Sequence, residues 1–262
     1  VEVSASRVFH ENFLGGRTPL DESQWDEFAE TYAAIQQEST LPIEQDLVNA
    51  LAKRYPLANL TVADIAAGSG RYALPLSQHG ASVTLYDWSE KMLAQAQRWL
   101  EQHHQQANYQ QADWSTLNEP LADLVFVSQL PTLQAKQLPL LDALAKHAVI
   151  INTQSLQTDS LQQQLAQQLS WPIPAVYQAD PKRSQSYLAA LKQRHCKVHH
   201  QSFTYQRQTT TTINDELQSF ERPFSLKLAT QMAQLFQVAH PQASITTTMT
   251  YQFELIDWCK PQ

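Results

Sequence analysis

LTVADIAAGSGRYALPLSQHGASVTLYDWSEKML, residues 60–93, decides the fold. Residues 62–66 form a short β-prone run that ends in Asp64-Ile65-Ala66-Ala67-Gly68-Ser69-Gly70, and Gly68 and Gly70 are two of only five glycines in 262 residues. Glycine weakens any element it sits inside, so two in one turn point to backbone that needs positive φ or admits a ligand closely. Tyr72, Ala73 and Leu76 then recur at helical spacing over 71–79, Gly80 ends that helix, and 81–86 form a second strand closed by Asp87. The unit is strand, glycine turn, helix, strand and acidic tip, the opening of a nucleotide-binding βαβ fold.

Two ligands compete for this turn. Gly68-Ser69-Gly70-Arg71-Tyr72-Ala73 satisfies the G-x-G-x-x-G/A dinucleotide fingerprint, and Asp87 stands about 19 residues past Gly68, near the offset at which an acid reaches a ribose. A dinucleotide brings a pyrophosphate dianion, whereas S-adenosylmethionine brings a sulfonium and an ammonium with one carboxylate. Asp64, at the end of the first strand, suits the cationic ligand and opposes a pyrophosphate in the same turn. A third acid agrees: 108–112 reads as a third strand ending in Asp113-Trp114, a carboxylate for an adenine amino group beside an aromatic cover.

At these residues the sequence resembles the class I S-adenosylmethionine-dependent methyltransferases of the small-molecule type, most closely over 25–152. The resemblance implies a doubly wound, mostly parallel, seven-stranded α/β sheet of Rossmann-like form, with N-terminal helices, C-terminal cap insertions and a terminal antiparallel strand pair. It also implies that Asp64, Gly68 and Gly70 hold the methionine moiety, Asp87 the ribose hydroxyls and Asp113 the adenine. Ala66 stands where the family carries glycine, and Ser69 completes the turn. Trp88 is a candidate to pack on the adenine, alongside Trp114. The alternatives are an NAD-dependent oxidoreductase, which requires a second half-sheet with a catalytic dyad or triad after residue 150, and a cofactor-binding module without turnover.

Composition narrows the partners. Eighteen basic against 25 acidic residues give a net charge of −7, which disfavours a protein that depends on phosphate-backbone attraction, so no nucleic-acid partner is expected. Two cysteines, Cys196 and Cys259, make no disulfide framework and no metal-ligand spacing, and a reducing cytoplasm fits best. No apolar stretch approaches the roughly 20 residues a membrane span needs, and no charged-then-apolar leader is present. A chain starting at Val1 rather than Met is expected to have been trimmed or to start at a chosen boundary. With 43% hydrophobic residues, the length fits one elaborated domain, taken as an arm with lid helices (1–58), a cofactor-binding half (59–154) and a cap-bearing half (155–262), monomeric or homodimeric.

Along the chain, 1–20 has no period and is expected to be an arm. Trp25, Phe28, Tyr32 and Ile35 form one helical stripe, and a second helix with the face Ile43, Leu47, Leu51 and Tyr55 follows Pro42. In small-molecule members of the family a leading helix of this kind folds over the cofactor, which makes Trp25 and Tyr32 lid candidates against the plain alternative of core packing. Helix 89–104 has Ser89 as its N-cap; 122–129 is an apolar fourth strand, 133–146 a leucine-bearing helix and 147–152 a fifth strand. Beyond it, 153–170 reads as a glutamine-rich helix, 182–195 as a helix, 196–204 or beyond as a sixth strand, 214–220 and 225–238 as helices and 244–258 as a long strand. Segments 155–184 and 209–241 exceed the minimal family core and are expected to form a substrate-side cap.

Ligands of such sheets bind beyond the carboxyl ends of the strands, so Ser128 is expected at the cofactor and Gln129 at the acceptor. Ser128-Gln129-Leu130-Pro131 lacks the acid or amide followed by two prolines and an aromatic that marks methylation of base amines. No catalytic base is assigned. His195, His199 and His200 cluster near the sixth strand, where period two turns only one of the adjacent pair inward, and a surface position is expected for the group. No metal motif and no nucleophile–base arrangement is apparent, and the methyl acceptor is expected to be a small molecule.

Overall fold

β1 (Thr61–Ile65) has four of its five residues buried, as a strand covered on both faces requires. Residues 21–37 and 39–260 are described in this computed structural model; the arm expected over 1–20 lies outside them. β1 pairs in parallel with β2 (Ser82–Asp87) on one side and with β4 (Ala122–Ser128) on the other. β2 continues in parallel to β3 (Asn108–Gln111), and β4 to β5 (Ala145–Asp159). With β6 (Val198–Thr212) and β7 (Ser244–Cys259) the sheet has seven strands in the order β3-β2-β1-β4-β5-β7-β6. β7 runs against β5, because Lys260 N donates to His147 O at 2.9 Å, Ser155 Oγ to Gln252 O at 3.4 Å and Thr248 N to Ser160 Oγ at 3.0 Å. An antiparallel β7 between β5 and β6 matches the expected sheet and departs from the all-parallel order of dinucleotide-binding sheets.

The helices before the sheet are α1 (Glu22–Gln37) and α2 (Ile43–Ala52). On α2, Ile43, Leu47 and Leu51 are wholly buried; full burial of each contributes on the order of 2 kcal/mol. α3 (Ala73–Gln78) is shorter than the helical spacing suggests and carries Pro75 in its first turn, where a missing N–H is tolerated. α4 (Glu90–Gln102) starts at Ser89, whose Oγ accepts from Met92 N at 3.1 Å. On one side of the sheet Ala63, Ile65, Val125, Val127, Val149 and Ile151 form a single core with Leu138, Leu141 and Leu144 of α5 (Leu138–Leu144) and Tyr187 and Leu191 of α7 (Pro181–Gln193).

The chain divides into two compact units. One takes in residues up to Thr153, then Lys182–Gln201 and everything from Glu254 on; the other comprises Gln154–Pro181 and Ser202–Phe253. The second has its own core, in which Leu161 and Leu165 of α6 (Ser160–Leu169) meet Ile213 and Leu217 of α8 (Ile213–Ser219) and Ala229 and Ala233 of α9 (Leu226–Leu235). Asp159 caps α6 by accepting from Leu161 N at 2.7 Å and Gln162 N at 3.0 Å, and Thr247 Oγ1 of β7 donates to the same carboxylate at 2.6 Å.

Two expectations need correction. The fifth strand runs to Asp159, so the helix expected from 153 begins only at Ser160. Its polar run, Thr153 to Asp159, breaks the pattern of a buried strand, yet β7 supplies partners that sequence spacing does not reveal. The helix expected over 133–146 contracts to α5 after a 3₁₀ turn at Ala135–Gln137, and Lys146 and His147 belong to β5. His195 and His200 are exposed and His199 is partly so, as expected of surface histidines, and two of them also meet acids: His199 Nδ1 lies 3.0 Å from Asp257 Oδ1, and His200 Nε2 2.7 Å from Glu254 Oε2. Period two does put them on opposite faces, but Glu254 and Asp257, three apart on the neighbouring β7, present a buried acid to each face.

Candidate cofactor and acceptor site

The glycine turn leaves β1 through a run of left-handed backbone, with φ of +53° at Ala66, +54° at Gly68 and +76° at Gly70. Gly70 is required twice over, since a Cβ there would sit 2.8 Å from the Cβ of Ala96 on α4. Ala66 takes the same conformation without glycine's freedom, which strains the turn. Arg71, the turn's only basic residue, is spent on α2: its guanidinium donates to Glu44 Oε2 at 2.9 Å and to Ser39 Oγ at 3.2 Å.

Asp64 lies at the mouth of this turn, 2% exposed, with no hydrogen-bond donor and no cation against it among the described residues. Burial, reinforced by the charge of Asp87, pushes its carboxyl up to about 8. A cation placed beside such a group favours its ionised form. Asp87 is 6% exposed at the end of β2, its carboxylate accepting from Gly68 N at 2.8 Å and Ser89 N at 2.9 Å. Burial raises its pKa, while those two N–H groups pull the other way. An acid beside the turn, a second acid one strand over and a backbone that a ligand can approach closely fit a sulfonium nucleoside.

α1 roofs the site. Tyr32 stands over the turn, its Cε1 3.5 Å from where a Cβ on Gly68 would lie, and Trp25 packs edge-on against Tyr32 with centroids 5.6 Å apart. Gln36 accepts from Ser69 Oγ, and Asp26 accepts from Ser89 Oγ at 2.5 Å and from Lys91 N at 3.3 Å. Tyr32 is therefore placed at the turn, with Trp25 packed against it. Asp26, Gln36 and Ser89 belong to the same arrangement and carry no sequence signal of it, apart from the capping role of Ser89.

The remaining candidates are spread more widely. Asp113 is exposed and caps the 3₁₀ turn at Trp114–Thr116, accepting from Ser115 N at 2.9 Å and Ser115 Oγ at 2.7 Å. Trp114 packs against the core, while Trp88, directly after Asp87, is 38% exposed. At the end of β4, Ser128 Oγ accepts from Asn152 Nδ2 at 2.9 Å. Gln129 adopts φ +52°. Tyr72, whose Oη accepts from the same Nδ2 at 2.8 Å, and Asn152 were not singled out by sequence; the one available signal was a polar residue at the end of a buried strand. Burial pushes the Tyr72 phenol up to about 12, so it stays neutral.

Comparison with known proteins agrees with this geometry. Residues 62–149 match the methyltransferase domain family. No curated protein matches the chain. Among similar solved structures, magnesium protoporphyrin IX methyltransferase from Synechocystis PCC 6803 with bound S-adenosylhomocysteine is 16% identical, covering 98% of this chain and 93% of its own, with a TM-score of 0.53. A structure described as a methyltransferase from Bacillus halodurans C-125 is 16% identical over 83% of this chain and 99% of its own, at 0.51. Phosphoethanolamine N-methyltransferase 2 of Haemonchus contortus, in complex with phosphomonomethylethanolamine and S-adenosylhomocysteine, is 14% identical over 93% of this chain and 61% of its own, at 0.50.

Proposed function

We infer that this chain is a class I S-adenosylmethionine-dependent methyltransferase that transfers methyl groups to a small organic acceptor, a reading supported by its matched domain and its fold. The observation that supports the acceptor class is the roof: α1 crosses the glycine turn with Tyr32 over Gly68 and Asp26 on the start of α4, so the turn is covered by a helix of the same chain. Net charge of −7 supports the same reading, as do two similar structures named for small acceptors. The second unit has its own core, and the acceptor-binding role expected of segments 155–184 and 209–241 is assigned to it in this reading.

S-adenosylmethionine supplies an electrophilic methyl group on a sulfonium. The chain's residues bind and orient it. Asp64 faces the cationic end, the Ala66–Gly70 turn with Ser69 lets backbone approach the methionine moiety, and Asp87 takes the ribose hydroxyls. Asp113, with Trp88 and Trp114 at the adenine and Ser128 near the reacting end, completes the set. Transfer is an in-line displacement, accelerated mainly by holding the acceptor in line and excluding water. The protein acts in the reducing cytoplasm as a monomer or homodimer without nucleic-acid or membrane partners. Its cysteines are free, and none of the described helices is long and apolar enough to cross a membrane.

Calorimetric titration with S-adenosylmethionine, S-adenosylhomocysteine and NAD in parallel tests the cofactor site, followed by methyl transfer from labelled donor into a metabolite extract. Binding of the first two with label in small molecules is expected. Binding of NAD alone, or label found only in RNA that binds with a steep salt dependence, would refute the reading.

A further inference from the structure

Two buried polar atoms at the carboxyl ends of β4 and β5 have no partner among the described residues: Asn152 Oδ1 and Gln129 Nε2. The two residues are neighbours, since Gln129 N donates to Asn152 O at 2.9 Å. Asn152 is 1% exposed, and both protons of its amide are committed, to Tyr72 Oη at 2.8 Å and to Ser128 Oγ at 2.9 Å. Its orientation is therefore set, and its oxygen is left as an acceptor facing no donor. Gln129 is held at φ +52°, a conformation that a glutamine keeps only where surrounding contacts impose it and that is concentrated at functional sites. Burying one acceptor and one donor unpaired opposes folding, and a ligand that pairs both recovers that free energy.

Side-chain alternation puts Asp64, Phe126, Ser128 and Asn152 on one face of the sheet, the face on which Tyr72 packs against Phe126 with centroids 5.3 Å apart. Asn152 thus stands on the face of the sheet on which Tyr72, just past the glycine turn, packs, with Gln129 next to Ser128 in the chain. No histidine and no lysine hydrogen-bonds to Tyr72, Ser128, Gln129 or Asn152 among the described residues, and Tyr72 is neutral. A hydroxyl acceptor would need a base there; a neutral nitrogen needs only its lone pair aimed.

We propose that Asn152 Oδ1 and Gln129 Nε2 are the acceptor-recognition pair, and that they select a neutral nitrogen nucleophile, an N–H flanked by a carbonyl or similar acceptor. This rests on the small-molecule reading above. The N–H donates to Asn152 and the flanking carbonyl accepts from Gln129, which fixes the rotation of the nitrogen and the direction of its lone pair. The nitrogen then forms a bond to the methyl carbon as the carbon–sulfur bond breaks, the electron pair of that bond goes to sulfur, and the methylated nitrogen releases its proton to water.

The test uses the whole chain and three probes that differ only in the nucleophile: 2-aminobenzamide, 2-hydroxybenzamide and 2-mercaptobenzamide. Calorimetry on the protein saturated with S-adenosylhomocysteine reads binding, and labelled S-adenosylmethionine reads transfer. The amine should bind and be methylated, the other two at least tenfold less. Asn152→Leu should weaken amine binding roughly tenfold with S-adenosylhomocysteine affinity unchanged. Asn152→Asp should retain it, because a carboxylate can accept from both hydroxyls with one oxygen and still offer the other to the ligand. Preferred methylation of the hydroxyl or thiol probe, equal loss in both variants, or no probe binding to protein that holds S-adenosylhomocysteine would overturn the proposal and leave the cofactor site standing. Failure to bind S-adenosylhomocysteine at all would instead overturn the functional reading.

Discussion

Binding of S-adenosylmethionine should be coupled to the release of a proton from Asp64. In the free protein the carboxyl is pushed up to about 8, by burial first and by the charge of Asp87 second. At pH 7 roughly one molecule in ten has it ionised, and at pH 6 roughly one in a hundred. A cationic ligand beside it favours the carboxylate and draws the pKa down. Affinity should therefore climb with pH up to about 8 and then level, by about fiftyfold between pH 6 and pH 8 for a bound-state pKa well below 6. At pH 7 close to one proton should be released per ligand bound. Titration calorimetry in buffers of different ionisation enthalpy measures that proton directly. Asp64→Asn is the control, since its profile contains only the ligand's own titration, and the difference between the two belongs to Asp64. Identical slopes for wild type and Asp64→Asn would refute the reasoning. The sign for stability is opposite. A carboxyl whose folded pKa is raised penalises the free fold as it ionises, so this contribution to stability falls between about pH 4 and pH 8, by at most about 1.4 kcal/mol per pH unit. Asp64→Asn should accordingly melt higher than wild type at pH 8 while binding the cofactor more weakly.

Replacing the two glycines by alanine should separate two effects: Gly68→Ala, with only an ordinary 3.5 Å contact to Tyr32, should lose about 1 kcal/mol to its φ of +54°, whereas Gly70→Ala adds a 2.8 Å clash with Ala96 and should lose about 3 kcal/mol in denaturant titrations. Ala66→Gly should gain about 0.5 kcal/mol, because relief of left-handed strain at φ +53° exceeds glycine's extra chain entropy; equal or lower stability would mean the strain is absent. Asp87→Ala should weaken S-adenosylhomocysteine at least tenfold by calorimetry and lower the melting temperature, since Gly68 N and Ser89 N lose their acceptor; unchanged affinity would remove Asp87 from the ribose.

What the sequence determined by itself was local and periodic. A β-prone run, two scarce glycines, a helix and an acid, spaced within 34 residues, specify backbone conformation through short-range sterics and hydrogen bonding, so β1, the turn, α3 and β2 appear within a residue or two of their expected limits. The strand-end positions of Asp64 and Asp87 were legible for the same reason, because they follow from the pattern. What only the tertiary structure decided depends on residues far apart in the chain. The course of β5 to Asp159 is set by pairing with β7, some hundred residues on, and its polar composition conceals that. The roof over the turn is made by Gln36 on Ser69 and Asp26 on Ser89, contacts between helix and loop that no spacing encodes. The unpaired oxygen of Asn152 arises because Tyr72 and Ser128, from two other elements, take both protons of one amide. Periodicity reports which face a residue occupies; which partner meets it there is decided by how the elements pack.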